Sequence, residues 1–302
     1  MKPAALRKAA HRKAELREAP TRPSKLTLAC ADYAFPLLPH GKVLDLIRAL
    51  EFDAVDIGLF EGRSHIWPSK VLGSPVKSGK QLQRQLAARG LRCADIFLQT
   101  DTSFVTYAPN NPEAPRRRRS RDWFLKTLDY ATACGAKHLT ALPGVWFEKE
   151  NPRTSWSRCC DEMAWRVGQA KQQRIVFGVE AHIGSIIAKP SDALRLMQSV
   201  PGLTLTLDCT HFIRDGLPDT AADPLVPYTS HFHARCARKD RVQSSFKENT
   251  VDYARMLRAL HRANYRGYVV VEYVWVDWEH CNEVDNVSET ILLRDFLRAH
   301  MS

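Results

Sequence analysis

Apolar and polar positions follow two alternating patterns along this chain. Short apolar runs that are bounded by polar residues are typical of buried parallel strands. Between these runs, apolar residues recur at positions i, i+3, i+4 and i+7, which is the spacing of one face of a helix. The helical spacing is clearest at Val43, Leu46, Ile47 and Leu50 and again at Tyr253, Met256, Leu257 and Leu260. From residue 25 onwards the sequence therefore predicts strands and helices in alternation.

Eight strands are predicted, and each is followed by a helix or a crossover segment. The strands are Lys25–Ala31, Ala54–Phe60, Arg92–Leu98, His138–Leu142, Val176–Glu180, Leu205–Asp208, Ser230–His233 and a last run that begins at Val269. The segments between them include a helix closed by Gly90, one that ends at Gly135, one near Cys160–Lys171, a proline-interrupted crossover over Asp219–Val226 and a terminal helix over Ser288–Ala299.

Eight such units within about 275 residues predict an α/β fold of the (β/α)8 TIM barrel type, as a single domain. The main alternative is a doubly wound open sheet. No G-x-G-x-x-G or G-x-x-x-x-G-K-[ST] motif follows any strand, which argues against that alternative. The barrel is predicted to occupy residues 25–302, and residues 1–24 form a basic N-terminal extension.

Composition places the chain among ordinary globular proteins, with 44% hydrophobic and 25% charged residues. No apolar run approaches the roughly 20 residues that span a bilayer, and the basic N-terminus lacks the apolar segment of a secretory signal. The eight cysteines are scattered, without a C-x-x-C pair or zinc-finger spacing. We expect reduced thiols, a cytoplasmic location and no membrane partner.

The net charge of +11 is concentrated in two places, the N-terminal extension and the run Arg116–Arg119 with Arg121 beside it. The run is interpreted either as the solvated start of a helix or as a contact for a phosphate or an acidic substrate. Neither basic segment has the aromatic interleaving that single-strand nucleic-acid binders use. The sequence therefore predicts no nucleic-acid partner.

Four successive strands end in residues of the types that can bind metal ions: Glu180, Asp208, His233 and Glu272. Active sites of TIM barrels lie at the carboxyl ends of the strands, so these side chains are predicted to converge. Three carboxylates and one imidazole suit a divalent cation. Any one carboxylate could instead cap a helix or pair with an arginine. Four together would repel one another without a cation, which favours a shared metal site.

The neighbours of these residues add further candidates. His231 and His233 point to the same side of their strand because strand side chains alternate. His233 is the preferred ligand since it is nearer the strand end, and His231 is interpreted as an interior histidine. Four tryptophans fall in predicted strand-end loops, where they either stack on a sugar ring or pack against the loops: Trp67, Trp146, Trp275 and Trp278.

The chain resembles the xylose isomerase-like TIM barrels, in particular the sugar phosphate isomerase/epimerase group. The resemblance rests on Val179–His182, Leu207–Phe212, His231–Arg235, Gly267–Tyr273 and Val287–Thr290. It covers roughly Lys25 to Ala299 and is strongest from Glu180 onwards.

The resemblance implies a role for each of several residues. Glu180, Asp208, His233 and Glu272 would be the metal ligands, and His182 and His211 would contact substrate. An arginine after the ligand histidine would also contact substrate, and Arg235, Arg238 and Arg241 compete for that role, with Arg238 preferred. The expected cofactor is one divalent ion, Mn before Mg, Co or Zn. Barrels of this group commonly pair, so a homo-oligomer is possible.

The implied function is a metal-dependent isomerase or epimerase acting on a sugar, cyclitol or keto-sugar. The first step would remove a proton beside a metal-bound carbonyl to give an enediolate, with Glu180 and Glu272 as the acid/base pair. A lyase on the same scaffold, either a dehydratase or a β-eliminating 3-keto-glycoside enzyme, is the alternative.

Two other functions are less consistent with the residues. Apurinic-site endonucleases share this barrel but need extra histidine ligands on the second and third strands, where only His65 is nearby. A non-catalytic binding protein on a decayed barrel would not need the intact set of ligand-type residues.

Overall fold

The computed structural model describes residues 26–301. The predicted extension over residues 1–24 lies outside the described residues, so that prediction is not tested. Within the described part, eight parallel strands pair in chain order and close into a barrel. The strands are β1 Thr27–Ala31, β2 Ala54–Phe60, β3 Arg92–Gln99, β4 His138–Ala141, β5 Val176–Glu180, β6 Thr204–Asp208, β7 Thr229–Ala234 and β8 Tyr268–Val271. The predicted (β/α)8 fold is confirmed.

Helices lie between the strands and cover the outside of the barrel. They are α1 His40–Ala49, α2 Pro68–Val71, α3 Pro75–Ala87, α4 Ala114–Cys134, α5 Pro152–Gln172, α6 Pro190–Ser199, α7 Thr210–Arg214, α8 Tyr253–Arg262 and α9 Asn286–His300. The predicted crossover is a 3-10 segment, Asp219–Tyr228, because two prolines interrupt it. Among residues 26–301, no helix is long and apolar enough to cross a bilayer.

Two local predictions are corrected. Helix α5 begins at Pro152 rather than near Cys160, because Asn151 caps it by accepting a hydrogen bond from the Arg153 amide at 2.9 Å. Trp156 therefore lies in this helix. The short helix α7, directly after Asp208, was not predicted, since five residues give too little periodicity to detect.

The apolar core lies mainly between the sheet and the helices, while the barrel interior is layered. Its lower layer consists of small apolar side chains: Ala29, Ala54, Ala94 and Val270. Above it lies a buried polar layer. A register shift between β2 and β3 places Asp95 rather than Ala94 opposite Asp56. His138 Nδ1 bonds Asp95 at 2.7 Å, and its ring stacks on His231 with ring centroids 4.9 Å apart.

The arginine run lies at the start of α4, where its side chains meet acidic partners. Arg116 pairs with Glu113 at 3.0 Å and Arg119 with Asp122 at 3.4 Å. Arg121 pairs with the buried Glu162 at 2.9 Å. These ion pairs support the interpretation of the run as a solvated helix start.

Candidate active site

The carboxyl ends of β5, β7 and β8 bring together Glu180, His233 and Glu272. Glu180 is the last residue of β5, His233 is next to last in β7, and Glu272 follows β8. His233 Nδ1 lies 3.1 Å from Glu180 Oε1 and 3.1 Å from Glu272 Oε2. All three side chains are buried, and their ligand atoms lie within 4.8 Å of one another. Three of the four predicted ligand positions thus form one compact cluster.

The ring of His233 is oriented by Asp56, a residue that the sequence analysis did not single out. Asp56 Oδ2 bonds His233 Nε2 at 3.1 Å and His231 Nε2 at 2.7 Å. With Nε2 bonded to a carboxylate, Nδ1 is the nitrogen that faces the two glutamates. A histidine that binds metal commonly uses one ring nitrogen while a carboxylate holds the other. His231 is buried and bonded, in line with its interpretation as an interior residue.

Charges in this cluster are only partly balanced. Burial raises the pKa of Glu180 to about 7, even though His233 opposes that shift. Burial alone would lower the pKa of His233, but Glu272, Asp56 and Glu180 raise it well above its ordinary value. Glu272 Oε2 contacts His233 without hydrogen-bond geometry, so this buried oxygen has no hydrogen-bond partner among residues 26–301. Burying an oxygen without a hydrogen-bond partner costs folding free energy unless a cation or ligand contacts that oxygen.

Asp208, the fourth predicted ligand, has other partners. Its Oδ2 accepts a 2.6 Å bond from Arg235 Nη2, and its Oδ1 accepts bonds from the Thr210 amide and hydroxyl. Burial opposes ionisation, but the Arg235 guanidinium and the hydrogen bond from Thr210 hold the pKa of Asp208 well below its usual range. Asp208 belongs to no described group of three ligand-type residues within 4.8 Å.

The two histidines predicted to contact substrate lie against the cluster. The rings of His182 and His211 have centroids 4.5 Å apart, and both residues group with Glu180 within 4.8 Å. Burial lowers the pKa of His182 to about 4 and that of His211 well below its ordinary value. Both imidazoles are therefore neutral near pH 7, and each has one ring nitrogen that donates a hydrogen bond and one that accepts.

A cavity of about 250 Å³ opens above Glu180 and Glu272. Its wall is largely aromatic and polar, and includes Tyr33, Phe60, Arg63, Phe97, Gln99, Phe104, His182, Arg235 and Trp278. Trp278 stacks on His182 with centroids 5.1 Å apart, and Phe104 meets His182 edge-on at 5.1 Å. The Tyr33 hydroxyl donates to Glu272 Oε1 at 2.8 Å. The cavity thus joins an acidic floor to an aromatic wall.

Tyr33 reaches Glu272 because Gly58 leaves room beneath its ring. A Cβ at Gly58 would lie 2.5 Å from Tyr33 Cδ1, well inside contact distance. The amide of Gly58 donates to Asp32 Oδ1 at 2.9 Å, which holds the segment after β1 against β2. This close approach is the reason that β2 carries glycine there.

Some predicted contact residues lie away from the cavity. Arg238 pairs with Glu248 at 3.4 Å and does not line the cavity, whereas Arg235, one of its two competitors, does. Of the four tryptophans, only Trp278 lines it. Trp146 stacks on Trp156 instead. The sequence analysis did not identify Tyr33, Phe60 and Phe97 as wall residues. Aromatic residues in or next to buried strands are usually core residues, and the sequence does not distinguish the two positions.

The residues present suit a divalent cation. A donor set of two carboxylates and one imidazole matches Mn, Mg, Co or Zn. Glu272 Oε2, which has no hydrogen-bond partner among residues 26–301, lies 3.1 Å from His233 Nδ1, so one ion could contact both atoms. Asp56 bonds the other ring nitrogen of His233, Nε2, as a carboxylate commonly does for a histidine that binds metal. Glu180, His233 and Glu272 would hold such an ion.

Fold and site together define a class, the TIM barrels with an acid–imidazole cluster at the carboxyl ends of the strands. A family model described as xylose isomerase-like TIM barrel matches residues 44–299. The chain belongs to this family. Comparison with curated protein sequences gives no match.

Solved structures with the same fold include several sugar-converting enzymes. D-Psicose 3-epimerase from Clostridium cellulolyticum H10, solved with D-tagatose, superposes with a TM-score of 0.72 at 14% identity, covering 92% of this chain and 100% of that one. A putative xylose isomerase from Rhodospirillum rubrum gives 0.72 at 17% identity, covering 91% and 99%. The 3-keto-D-glucoside 4-epimerase from E. coli gives 0.68 at 15% identity, covering 91% and 100%. At these identities the likeness establishes the fold.

Proposed function

We propose that this protein is a divalent-metal-dependent isomerase or epimerase of a sugar, cyclitol or keto-sugar. The observation that carries the proposal is the placement of His233 Nδ1 at 3.1 Å from a carboxylate oxygen of both Glu180 and Glu272, at the floor of a small cavity. The solved neighbours with this fold are named as epimerases of ketoses and of a keto-glucoside, which supports a carbohydrate substrate.

The cation would be held by Glu180, His233 and Glu272. Asp208 remains part of the proposed ligand set, although its oxygens bond Arg235 and Thr210. A divalent ion bound there supplies Lewis acidity that polarises a carbonyl and its neighbouring hydroxyl. Manganese is the favoured ion because hard oxygen donors dominate the set.

The carboxylates of Glu180 and Glu272 then move the proton. They belong to β5 and to the segment after β8, and these strands stand on opposite sides of β6 and β7. One carboxylate can take the proton from the carbon beside the carbonyl, and the other can return it from the other side. Tyr33 donates a hydrogen bond to Glu272 Oε1 and so helps to fix the carboxylate whose Oε2 lies 3.1 Å from His233 Nδ1. Neutral His182 and the guanidinium of Arg235 would bind substrate hydroxyls, whereas His211 does not line the cavity and contacts His182 instead.

The test is a screen of free sugars, inososes and 3-keto-glycosides with Mn²⁺ in deuterated water. An epimerase washes deuterium into recovered substrate and product at one carbon. Turnover without exchange of any carbon-bound proton would contradict the proposed chemistry. The lyase alternative shares the first step, and an unsaturated or cleaved product would identify it instead.

A further inference from the structure

A second pocket lies at the amino ends of β3, β4 and β8, at the opposite end of the barrel from Glu180 and Glu272. Its volume is about 390 Å³. Two cysteines line it: Cys93 is the second residue of β3, and Cys134 is the last residue of α4. Among the described residues, this pocket shares no lining residue with the cavity of the proposed active site.

The thiols of the two cysteines are free and close together. Cys93 Sγ lies 3.9 Å from Cys134 Sγ, and Cys93 is half-buried whereas Cys134 is buried. A disulfide bond holds its sulfurs about 2.05 Å apart, so the two atoms must approach each other by about 2 Å. Both cysteines lie at an end of their element, and Gly135 follows Cys134 with a φ of 89°. A side-chain rotation with a small backbone shift at this helix end can supply the approach.

The same pocket carries positive charge. Arg92 and Lys137 line it, and no aspartate or glutamate of residues 26–301 does. The guanidinium of Arg92 lies over the ring of Tyr268, 5.8 Å from the centroid. Unbalanced positive charge raises the local concentration of anions. The pocket therefore suits a small thiol compound that bears carboxylates.

We propose that Cys93 and Cys134 form a site for thiol–disulfide exchange with an anionic small disulfide of the glutathione type, and that this exchange joins the two cysteines. Deprotonated Cys93, the more exposed thiol, attacks one sulfur of the incoming disulfide, and one small thiolate leaves. Cys134 then loses its proton and attacks the Cys93 sulfur of the mixed disulfide, and the second thiolate leaves. The protein pair loses two electrons and two protons, and the small disulfide gains them as two thiols.

The exchange is expected to be slow at neutral pH. The contact with Cys134 and burial raise the pKa of Cys93 well above its ordinary value. Because the thiolate is the nucleophile, the rate should increase as the pH rises. The site takes no residue from the proposed active site, so it does not depend on the proposed activity.

The test treats the reduced full-length protein with oxidised glutathione at about pH 8.5, where more of each thiol is ionised. Alkylation then blocks the remaining thiols, and mass spectrometry maps the cysteines. Native protein should give a cross-linked peptide pair that contains Cys93 and Cys134. Cys134→Ser should stop at the mixed disulfide, with one glutathione on Cys93, and Cys93→Ser should leave the buried Cys134 unmodified. Cys160→Ser is the control, because Cys160 is half-buried outside the pocket, and it should cross-link as native protein does.

A second comparison tests the charge of the partner. Replacing Arg92 and Lys137 together by glutamine should slow cross-linking by oxidised glutathione at least about threefold at low salt, and should leave the rate with uncharged 2-hydroxyethyl disulfide close to native. Equal slowing with both reagents would overturn the anionic partner. Native protein that keeps both thiols free, or that stops at a mixed disulfide, would overturn the site itself. Melting temperatures check that each variant folds, and Cys134→Ala serves if Cys134→Ser does not.

Discussion

The two halves of the barrel contribute different chemistry to one cavity. Strands β5 to β8 end in ionisable groups, and all four residues predicted as ligands come from them. Strands β1 to β3 contribute Tyr33, Phe60 and Phe97, which are aromatic and make one wall of the cavity. We therefore expect a division of labour: groups of the second half perform the proton transfer, and the aromatic wall of the first half determines which substrate fits. The following changes test that division.

The largest effect is expected for Glu272→Gln, which keeps the shape of the side chain and removes the base. The rate of proton exchange should fall by roughly 10²–10⁴-fold, the usual contribution of a general acid or base. The measurement is deuterium exchange into the substrate found by the screen. Glu283→Gln is the matched control, since Glu283 pairs with Arg241 outside the cavity. Comparable rates in the two variants would show that the acidic half does not carry the reaction.

A smaller effect is expected for Asp56→Asn, because the amide lacks the negative charge with which Asp56 holds both histidines. Mn²⁺ affinity should fall about 10–100-fold, as is typical when the partner of a ligating histidine is changed. Asp95→Asn is the control: Asp95 is equally buried but bonds His138, which is not a predicted ligand. Equal losses in both variants would mean that the effect comes from general disturbance of the barrel interior.

The aromatic wall of the first half is tested by Phe104→Ala, since Phe104 follows β3 and lines the cavity. KM should rise about three- to tenfold, as expected for ~0.5–1.5 kcal/mol of lost aromatic packing, while kcat and Mn²⁺ affinity stay close to native. Trp146→Ala is the control, because it removes an aromatic side chain of the same half that does not line the cavity, and it should leave KM unchanged. A fall in kcat without a change in KM would contradict the division of labour.

The smallest effect concerns the polar layer beneath both halves. Burial lowers the pKa of His138 despite the neighbouring Asp95, so the folded state holds this imidazole neutral. A depressed folded pKa means that stability is present above the unfolded pKa of about 6.5 and is lost as the pH falls below it. The His138→Gln variant should therefore lose stability less steeply from pH 7 to 5, by at most about 1.4 kcal/mol per pH unit. Chemical denaturation across this range measures the slope, and an unchanged slope would show that His138 does not titrate there.

The fold and the clustering of three of the four candidate ligands could be predicted because both leave local patterns. Apolar runs and helical spacing gave the eight strands, and the position of Glu180 at the end of such a run placed it in the site. Partnerships across the barrel leave no such pattern. The sequence around Asp208 does not show that its carboxylate will bond Arg235. The sequence around Asp56 does not show that its carboxylate will bond two histidines that lie 175 and 177 residues away. Those contacts depend on barrel closure, so they appear only in three dimensions.

Strand β2 carries no predicted ligand, yet an insertion or deletion in it would disturb several parts of the site at once. Asp56, Gly58 and Phe60 alternate along it, so all three face the interior. They support His233, make room for Tyr33 and form part of the aromatic wall. A shift by one residue would turn all three outwards at once while leaving every predicted ligand in its own strand. An evolving barrel of this design can exchange side chains on β2 one at a time, but it cannot change the length of that strand without losing the site.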